Sequence, residues 1–344
     1  MIAGHGGYVP LYRIDRADVA EQHGGRGSGE SAVPGRDENH VTMASEAAET
    51  ALARADLDGG ALGAVVSASV TDPFAEHGVA AHVAYRLGAT GDVRTGDFRA
   101  TGRAATDALA FARDFVAARG DPALLVAADV MPVEQGHDDE AYSGAGAGAL
   151  VLAPGDAVDG PDGTRPDGTR PVGTVAGTGA ETTGFVERHR LHGEAATSGD
   201  GKFEGEAGFG PAVEAAAGRA LAAAGIEAPD RVVVAAHDAR MASGAASEFP
   251  DATHDSTFDG VGYAGAATFA LDIAHSLESA AGGETVLAAA YGPGGTDAVA
   301  VEVAAPRTDP GPSVAELLDS KEYVPYATHV ANRERFDYEG VTVA

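Results

Sequence analysis

One succession of elements can be read twice along this chain, and it constrains the fold more than any single motif. In the first half an extended run, Ile2–Ile14, precedes a helix from Asp37 to about Ala55. A buried strand (Gly63–Ser69), a helix (Val79–Leu87), an extended stretch (Thr95–Ala100) and an Ala-rich helix (about Arg103–Ala118) follow. The half closes with a buried strand, Ala123–Ala128, and a strand, Ser143–Ala153, that pairs back on it. The second half repeats the plan: a strand at Gly173–Gly179, a helix at about Phe209–Ala224, a buried strand at Arg231–His237, and a helix at Gly262–Leu277. It closes with a strand pair, Thr285–Tyr291 and Ala298–Ala304, around the loop Gly292–Asp297. Short apolar runs bounded by turn formers read as strands buried on both faces, and their alternation with helices implies α/β layering. We infer an internal duplication: two α/β halves, 1–160 and 173–305, each with a central helix at their interface.

Between the halves DGTRP occurs twice in tandem, at Asp162–Pro166 and Asp167–Pro171. These turn formers carry no apolar residue for a core, so 161–172 reads as an exposed linker. A tail, 306–344, is expected to pack back on the body. Asp15 is placed to cap a short helix through Gln22, and Thr42 reads as a local cap.

The 344 residues allow about two domains. No apolar stretch is long enough to span a membrane, and the first fifteen residues lack a secretory pattern, so a cytoplasmic protein is expected. The formal charge of −29 is spread along the chain, and Lys202 and Lys321 are its only lysines. That is a solvated acidic surface of the kind found in salt-loving archaea, where salt screens the self-repulsion. Its sign argues against nucleic acid as a partner. There is no cysteine, which excludes disulfides, thiolate metal sites and cysteine nucleophiles together. His189 and His192 stand three apart in a polar stretch, and no metal site is expected there.

The chemistry centres on Asp97–Leu109, DFRATGRAATDAL. A strand that runs through a tight turn at Thr101-Gly102 into a helix presents unpaired N–H groups, which attract negative charge and would depress a thiol pKa. The turn holds no thiol. Thr101 could act as nucleophile only with an adjacent base. His237, at the end of its strand, is the candidate for that base, or for polarising a ligand carbonyl. Tyr263 and Tyr291 are expected near the same pocket. The Gly-rich loop can be read as a tight hairpin or, through Gly292 and Gly294, as a source of N–H groups for a thioester oxygen.

The chain resembles the archaeal hydroxymethylglutaryl-CoA synthase family, within the thiolase-like superfamily, over nearly its full length. The resemblance is carried by GHGGYVPLYRI within Ile2–Ile14, SAVPGRDENHVTMASEAA at Ser31–Ala48, DPFAEHGVAAHVAYRLGA at Asp72–Ala89 and GKFEGEAGF at Gly201–Phe209. It continues through VVVAAHDAR at Val232–Arg240, GVGYAG at Gly260–Gly265, YGPGGTDA at Tyr291–Ala298 and EYVPYATHVANR at Glu322–Arg333. It implies a thiolase-like α/β fold of two duplicated halves in five layers. It also implies a homodimer, association with a thiolase through a zinc-ribbon/OB-fold protein, and a coenzyme A thioester as ligand, with no other cofactor.

The family's acyl-carrying cysteine falls on Gly102, or on Thr101 with a one-residue slip, and its catalytic glutamate on Val70. A family asparagine corresponds to Val261 and a threonine to Glu204, while the histidine is retained as His237. The resemblance with these departures implies a catalytically degenerate synthase-like protein, binding acyl-CoA or serving as a structural subunit. The alternative is an active cysteine-independent acyl-CoA enzyme, a C–C lyase or an acyltransferase.

Overall fold

A computed structural model describes residues 1–74, 76–132, 134–155, 171–191 and 194–334. The first half contributes β1 (Ile2–Tyr8), α1 (His40–Arg54), β2 (Ala64–Ser69), α2 (Val79–Arg86), β3 (Arg94–Arg99), α3 (Ala104–Arg119), β4 (Ala123–Val130) and β5 (Ala145–Leu152). The second half contributes β6 (Gly173–Thr182), α4 (Gly210–Ala224), β7 (Arg231–Ala235), α5 (Ala239–Ala246), β8 (Thr253–His254), α6 (Ala267–Ser279), β9 (Thr285–Gly292) and β10 (Gly295–Val303).

The ten strands run in the order β8-β7-β9-β10-β6-β1-β5-β4-β2-β3. The order is symmetric about the β6–β1 junction, where the pairing is confined to Ile2 with Gly173. In each half the inner strands pair antiparallel and the outer ones parallel, so β4–β5 mirrors β9–β10 and β2–β4 mirrors β7–β9.

The strand faces explain the layering. In β4, Ala123, Leu125 and Ala127 join the central core, while Leu124, Val126 and Ala128 join an outer core with α1 and α2. In β9, Val286, Ala288 and Ala290 face the centre, while Leu287, Ala289 and Tyr291 face α4 and α5. Side chains alternate across a strand, so a run apolar at every position must be covered on both sides. The central helices α3 and α6 lie between the two five-stranded halves of the sheet and touch each other. Helix, sheet, helix, sheet, helix gives five layers of thiolase-like α/β architecture.

Several local details differ from the sequence reading. The cap of α1 is Asn39, not Thr42: the Asn39 side chain accepts from Val41 N (2.9 Å) and Thr42 N (3.1 Å), and Thr42 Oγ1 accepts back from Asn39 N (2.8 Å). Thr42 is thus the third-position partner in a capping box. Asp15 does cap the helix Arg16–Gln22, accepting from Ala17 N. Helix α6 begins at Ala267 rather than Gly262, because Gly262, at φ +82°, ends a separate turn, Phe258–Val261. The loop expected over Gly292–Asp297 contracts to a two-residue turn, Pro293-Gly294, with Gly292 paired directly to Gly295. Proline followed by a positive-φ glycine suits a type II turn and lets the ladder run to its end.

Of the tandem DGTRP repeat, Asp162–Arg170 lies outside the described residues, as does His192. The described part of the tail lies mainly against the first half, with Val314 N also donating to Glu278 of α6 (2.7 Å). Glu322–Tyr323 pairs with Tyr12–Asp15, and Arg333, 2% exposed, donates to the carbonyls of Ala32, Met131, Ser143 and Gly144. Among the described residues no helix is long and apolar enough to cross a membrane.

Candidate active site

A cavity of about 810 Å³ opens at the C-terminal ends of β2, β4, β7 and β9. Thr101, Gly102, His237, Tyr263, Tyr291 and Gly292 line it together. Its floor is the turn between β3 and α3. Ala100 holds φ +76° there, a left-handed conformation that costs a side-chain-bearing residue about 1–2 kcal/mol. Thr101 Oγ1 accepts from Arg103 N (3.3 Å). The β9–β10 hairpin comes down on this turn so closely that a Cβ on Gly292 would lie 2.5 Å from Thr101 Oγ1 and 3.0 Å from Gly102 N. A Cβ on Gly102 would lie 2.9 Å from the Tyr291 carbonyl oxygen and 3.0 Å from Tyr263 Oη. At Gly102, where the family resemblance puts a sulfur-bearing side chain, even a Cβ would be crowded by a tyrosine hydroxyl and a backbone carbonyl.

His237 follows β7, just before Asp238 caps α5 by accepting from Arg240 N (2.7 Å) and Met241 N (3.3 Å). Its Nε2 is 3.5 Å from Glu204 Oε2, and the Glu204 side chain is only 3% exposed. Glu204 begins a π-helical segment, Glu204–Phe209, that runs into α4. Widened turns of this kind re-aim side chains and recur at functional sites. Tyr291 donates to Glu204 Oε1 (3.2 Å) and stands edge-on to Phe209.

Burial, helped by the Arg188 charge, lowers the His237 pKa to about 4, so the ring is neutral at pH 7. Burial also raises Glu204, Tyr291 and Tyr263, the last to about 12. The group offers a neutral imidazole that can take a proton and a neutral phenol that can give one.

Beneath the cavity, Asp129 ties the two halves together. Its Oδ1 accepts from Ser69 Oγ (2.6 Å), Val70 N (2.9 Å), Thr71 N (2.8 Å) and Thr71 Oγ1 (2.5 Å), and its Oδ2 accepts from Ala266 N (2.7 Å). Burial raises its pKa to about 6 even against these bonds. Val70, in the position the resemblance assigns to a catalytic glutamate, lines the cavity with an apolar side chain.

Three arginines stand at the mouth. Arg99 pairs with Asp72 (2.9 Å), Arg188 with Asp139 (2.6 Å), and Arg190 Nη2 donates to the Val70 carbonyl (2.9 Å). Arg99 and Arg188 are each offset by their aspartate, while Arg190 is held by a carbonyl, so it is Arg190 that brings positive charge to the mouth.

Gly294 stands apart from the site residues named from sequence. It is not part of the lining; its N–H donates to the Phe185 carbonyl (3.0 Å) and its carbonyl accepts from Thr183 N (2.8 Å). The sequence reading did not single out Arg99, Arg188, Arg190 or Asp129. A basic cluster amid an acidic composition was the signal for Arg188 and Arg190. Asp129 carried none, since a strand-end aspartate looks the same whether or not it clamps two loops.

A duplicated five-layer α/β arrangement, with its cavity where two central-helix turns meet, is the thiolase-like fold. The solved structure titled HMG_CoA synthase complexed with CoA aligns with a TM-score of 0.77 at 15% identity, over 98% of this chain and 90% of that one. No family model matches the sequence. The hydroxymethylglutaryl-CoA synthase of Thermococcus gammatolerans is 37% identical over 156 residues, which span 44% of this chain and only 45% of that protein. That of Methanothermobacter thermautotrophicus is 29% identical over 349 residues, spanning 95% of this chain and 96% of the relative. Over nearly its full length the chain is thus similar to archaeal hydroxymethylglutaryl-CoA synthases.

Proposed function

We propose that this protein binds acyl-CoA thioesters without carrying the acyl group on its own side chain, and that it serves as a non-condensing subunit of a thiolase-containing assembly. The observation that carries this is the crowding at Gly102. The turn that would hold the nucleophile has no thiol, and a carbon to bear one at Gly102 would crowd Tyr291 and Tyr263. An 810 Å³ cavity falls in the range of small-molecule sites, and Arg190 at its mouth suits the phosphates of coenzyme A. A homodimer is supported by the edge of β3, which among the described residues pairs with β2 alone and carries Phe98 beside Phe111, itself near Phe115. Phe111 is 41% exposed, and a free strand edge beside exposed aromatic surface suits pairing with a second chain. The thiolase and zinc-ribbon/OB-fold partners rest on the family resemblance.

The test is to purify the protein in high salt, alone and with those partners. Acetyl-CoA binding is then measured by calorimetry, and CoA release from acetyl-CoA plus acetoacetyl-CoA is followed. Saturable binding without CoA release, and co-purification with the thiolase, are expected; robust condensation overturns the proposal.

A second reading, a cysteine-independent C–C lyase, is favoured by one observation: a neutral His237 and the Tyr263 hydroxyl face the same cavity. His237 would take the proton of a 3-hydroxyl group on a 3-hydroxyacyl-CoA. The C2–C3 bond would break to leave a carbonyl and a thioester enolate, and Tyr263 would donate the proton that quenches it. Cleavage of 3-hydroxyacyl-CoA that is lost in both His237→Gln and Tyr263→Phe would favour this reading. Acyl transfer lost in Thr101→Ala would instead point to the threonine hydroxyl as nucleophile.

A further inference from the structure

Two histidines meet near the rim of the large cavity, outside the group around His237. His82 lies in the first turn of α2, and His77 in the loop that leads into that helix. Their Nε2 atoms are 2.7 Å apart, the rings cross at 74°, and the ring centroids are 4.0 Å apart. A head-on N–H···N bond of that length would hold the centroids about 5 Å apart. The two lone pairs are therefore set at an angle instead of in line. The Phe74 ring stands edge-on to both, 4.8 Å from His77 and 6.3 Å from His82 between centroids. Separate backbone anchors fix the pair. Arg99 donates to the carbonyls of Phe74 (3.0 Å) and His77 (2.8 Å), and Asp97 accepts from Ala80 N (2.9 Å) at the start of α2. Burial and the nearby His77 hold His82 below the ordinary histidine range, so its ring is neutral at pH 7, the form that ligates metals. The Asp72 carboxylate is close enough to interact electrostatically with His77, and it would offset part of an added positive charge.

We propose that His77 and His82 form a surface binding site for one divalent transition-metal ion, copper or nickel in preference to zinc, with water filling the remaining positions. Metal–imidazole bonds of about 2.0–2.1 Å set right-angled ligands about 2.9 Å apart and tetrahedral ones about 3.3 Å apart. The observed 2.7 Å fits the right angle of square-planar or octahedral ions better than the tetrahedron zinc takes. Imidazole nitrogens also select against a hard ion such as Mg2+, which takes oxygen ligands. Among the described residues no third His, Cys, Asp or Glu joins the pair, so the ion keeps open positions. Phe74 and Arg99 line the cavity, and an ion between the two histidines would tie that part of the rim to α2. The site does not depend on whether the cavity holds acyl-CoA.

The experiment is calorimetric titration of the full chain in high salt with Cu2+, Ni2+, Zn2+ and Mg2+. His77 is exposed and His82 partly so, and glutamine at either position should leave the fold intact. A second imidazole held beside the first makes its binding step intramolecular, so losing either should weaken the affinity by about 100-fold. The expected result is one Cu2+ or Ni2+ per chain, weaker binding of Zn2+ and no response to Mg2+. That affinity should fall about 100-fold in His77→Gln and in His82→Gln, and persist in His254→Gln, which removes an exposed histidine elsewhere. Electron paramagnetic resonance of the copper form should show two equatorial nitrogens in the parent and one in either variant. Affinity unchanged by His77→Gln or His82→Gln, an equal loss in His254→Gln, or zinc bound more tightly than nickel overturns the proposal.

Discussion

Placing a methyl group on Gly102 should destabilise the protein, and the structure fixes the scale. The added Cβ would sit 2.9 Å from the Tyr291 carbonyl oxygen and 3.0 Å from Tyr263 Oη. Both separations are several tenths of an ångström short of ordinary carbon–oxygen contact. The carbonyl cannot retreat cheaply, because Tyr291 pairs with Thr296 in the β9–β10 ladder. The phenol is the far end of a side chain and can move. Overpacking of this kind costs about 1–3 kcal/mol, and stiffening the unfolded chain by replacing glycine returns about 0.4–1 kcal/mol. Gly102→Ala should therefore lose about 1–2 kcal/mol, or roughly 1–3 °C in Tm.

The assay is calorimetric or circular-dichroism melting in matched high salt, run as a double-mutant cycle with Tyr263→Phe. Removing the hydroxyl should relieve one of the two contacts and return about 0.5 kcal/mol as coupling energy. An alanine variant as stable as the parent would refute the reasoning, since the site would then accept a side-chain carbon and a thiol could be accommodated there.

Other outcomes follow from buried groups. Arg54, fully buried, donates to Glu278 (2.7 Å) and to the carbonyls of His5, Thr308, Pro310 and Pro312, so Arg54→Met should cost about 3–5 kcal/mol in urea unfolding. Burial depresses His5 and His329 to about 3 and His40 to about 4. These rings stabilise the fold while neutral, and that stability is lost as pH falls below 6.5 toward their folded values, by up to about 1.4 kcal/mol per pH unit for each ring. His40→Gln, which can keep the bond to Thr71 (2.9 Å), should lower the slope of urea midpoint against pH between 6 and 4. Asp129, raised to about 6, has the opposite sign and loses stability as pH rises from about 4 to 6. Ala100→Gly should relieve the φ +76° strain and raise stability by up to about 1 kcal/mol, read as a higher Tm. With a net charge of −29, dilution from about 1 M salt to about 0.1 M should lower Tm, because the screening length grows from about 3 Å to about 10 Å.

The α/β layering was legible because apolar runs at Ala123–Ala128 and Val286–Tyr291, alternating with helices, read as strands covered on both faces. The thiolase-like plan and the family were legible from motifs in a fixed order rather than from any single residue. Geometry could not be read in the same way. Gly292 follows from a close approach between two halves, and the distance between a hairpin and a helix start has no sequence period. Gly294 shares the same loop, yet its N–H is consumed by Phe185. Asn39 and Thr42 are both good caps, and only the backbone decides which stands outside the helix. Glu204 was noticed as a departure from the family pattern, but the π-helical turn that brings it to His237 depends on how α4 starts.

The central claim is that the acyl-binding cavity persists while the covalent carrier is gone. Intact-protein mass spectrometry after incubation with saturating acetyl-CoA, quenched in acid, tests it most directly. The account predicts an unmodified mass at every time point. A species heavier by one acetyl group, mapping to the Thr101–Arg103 turn, would contradict it.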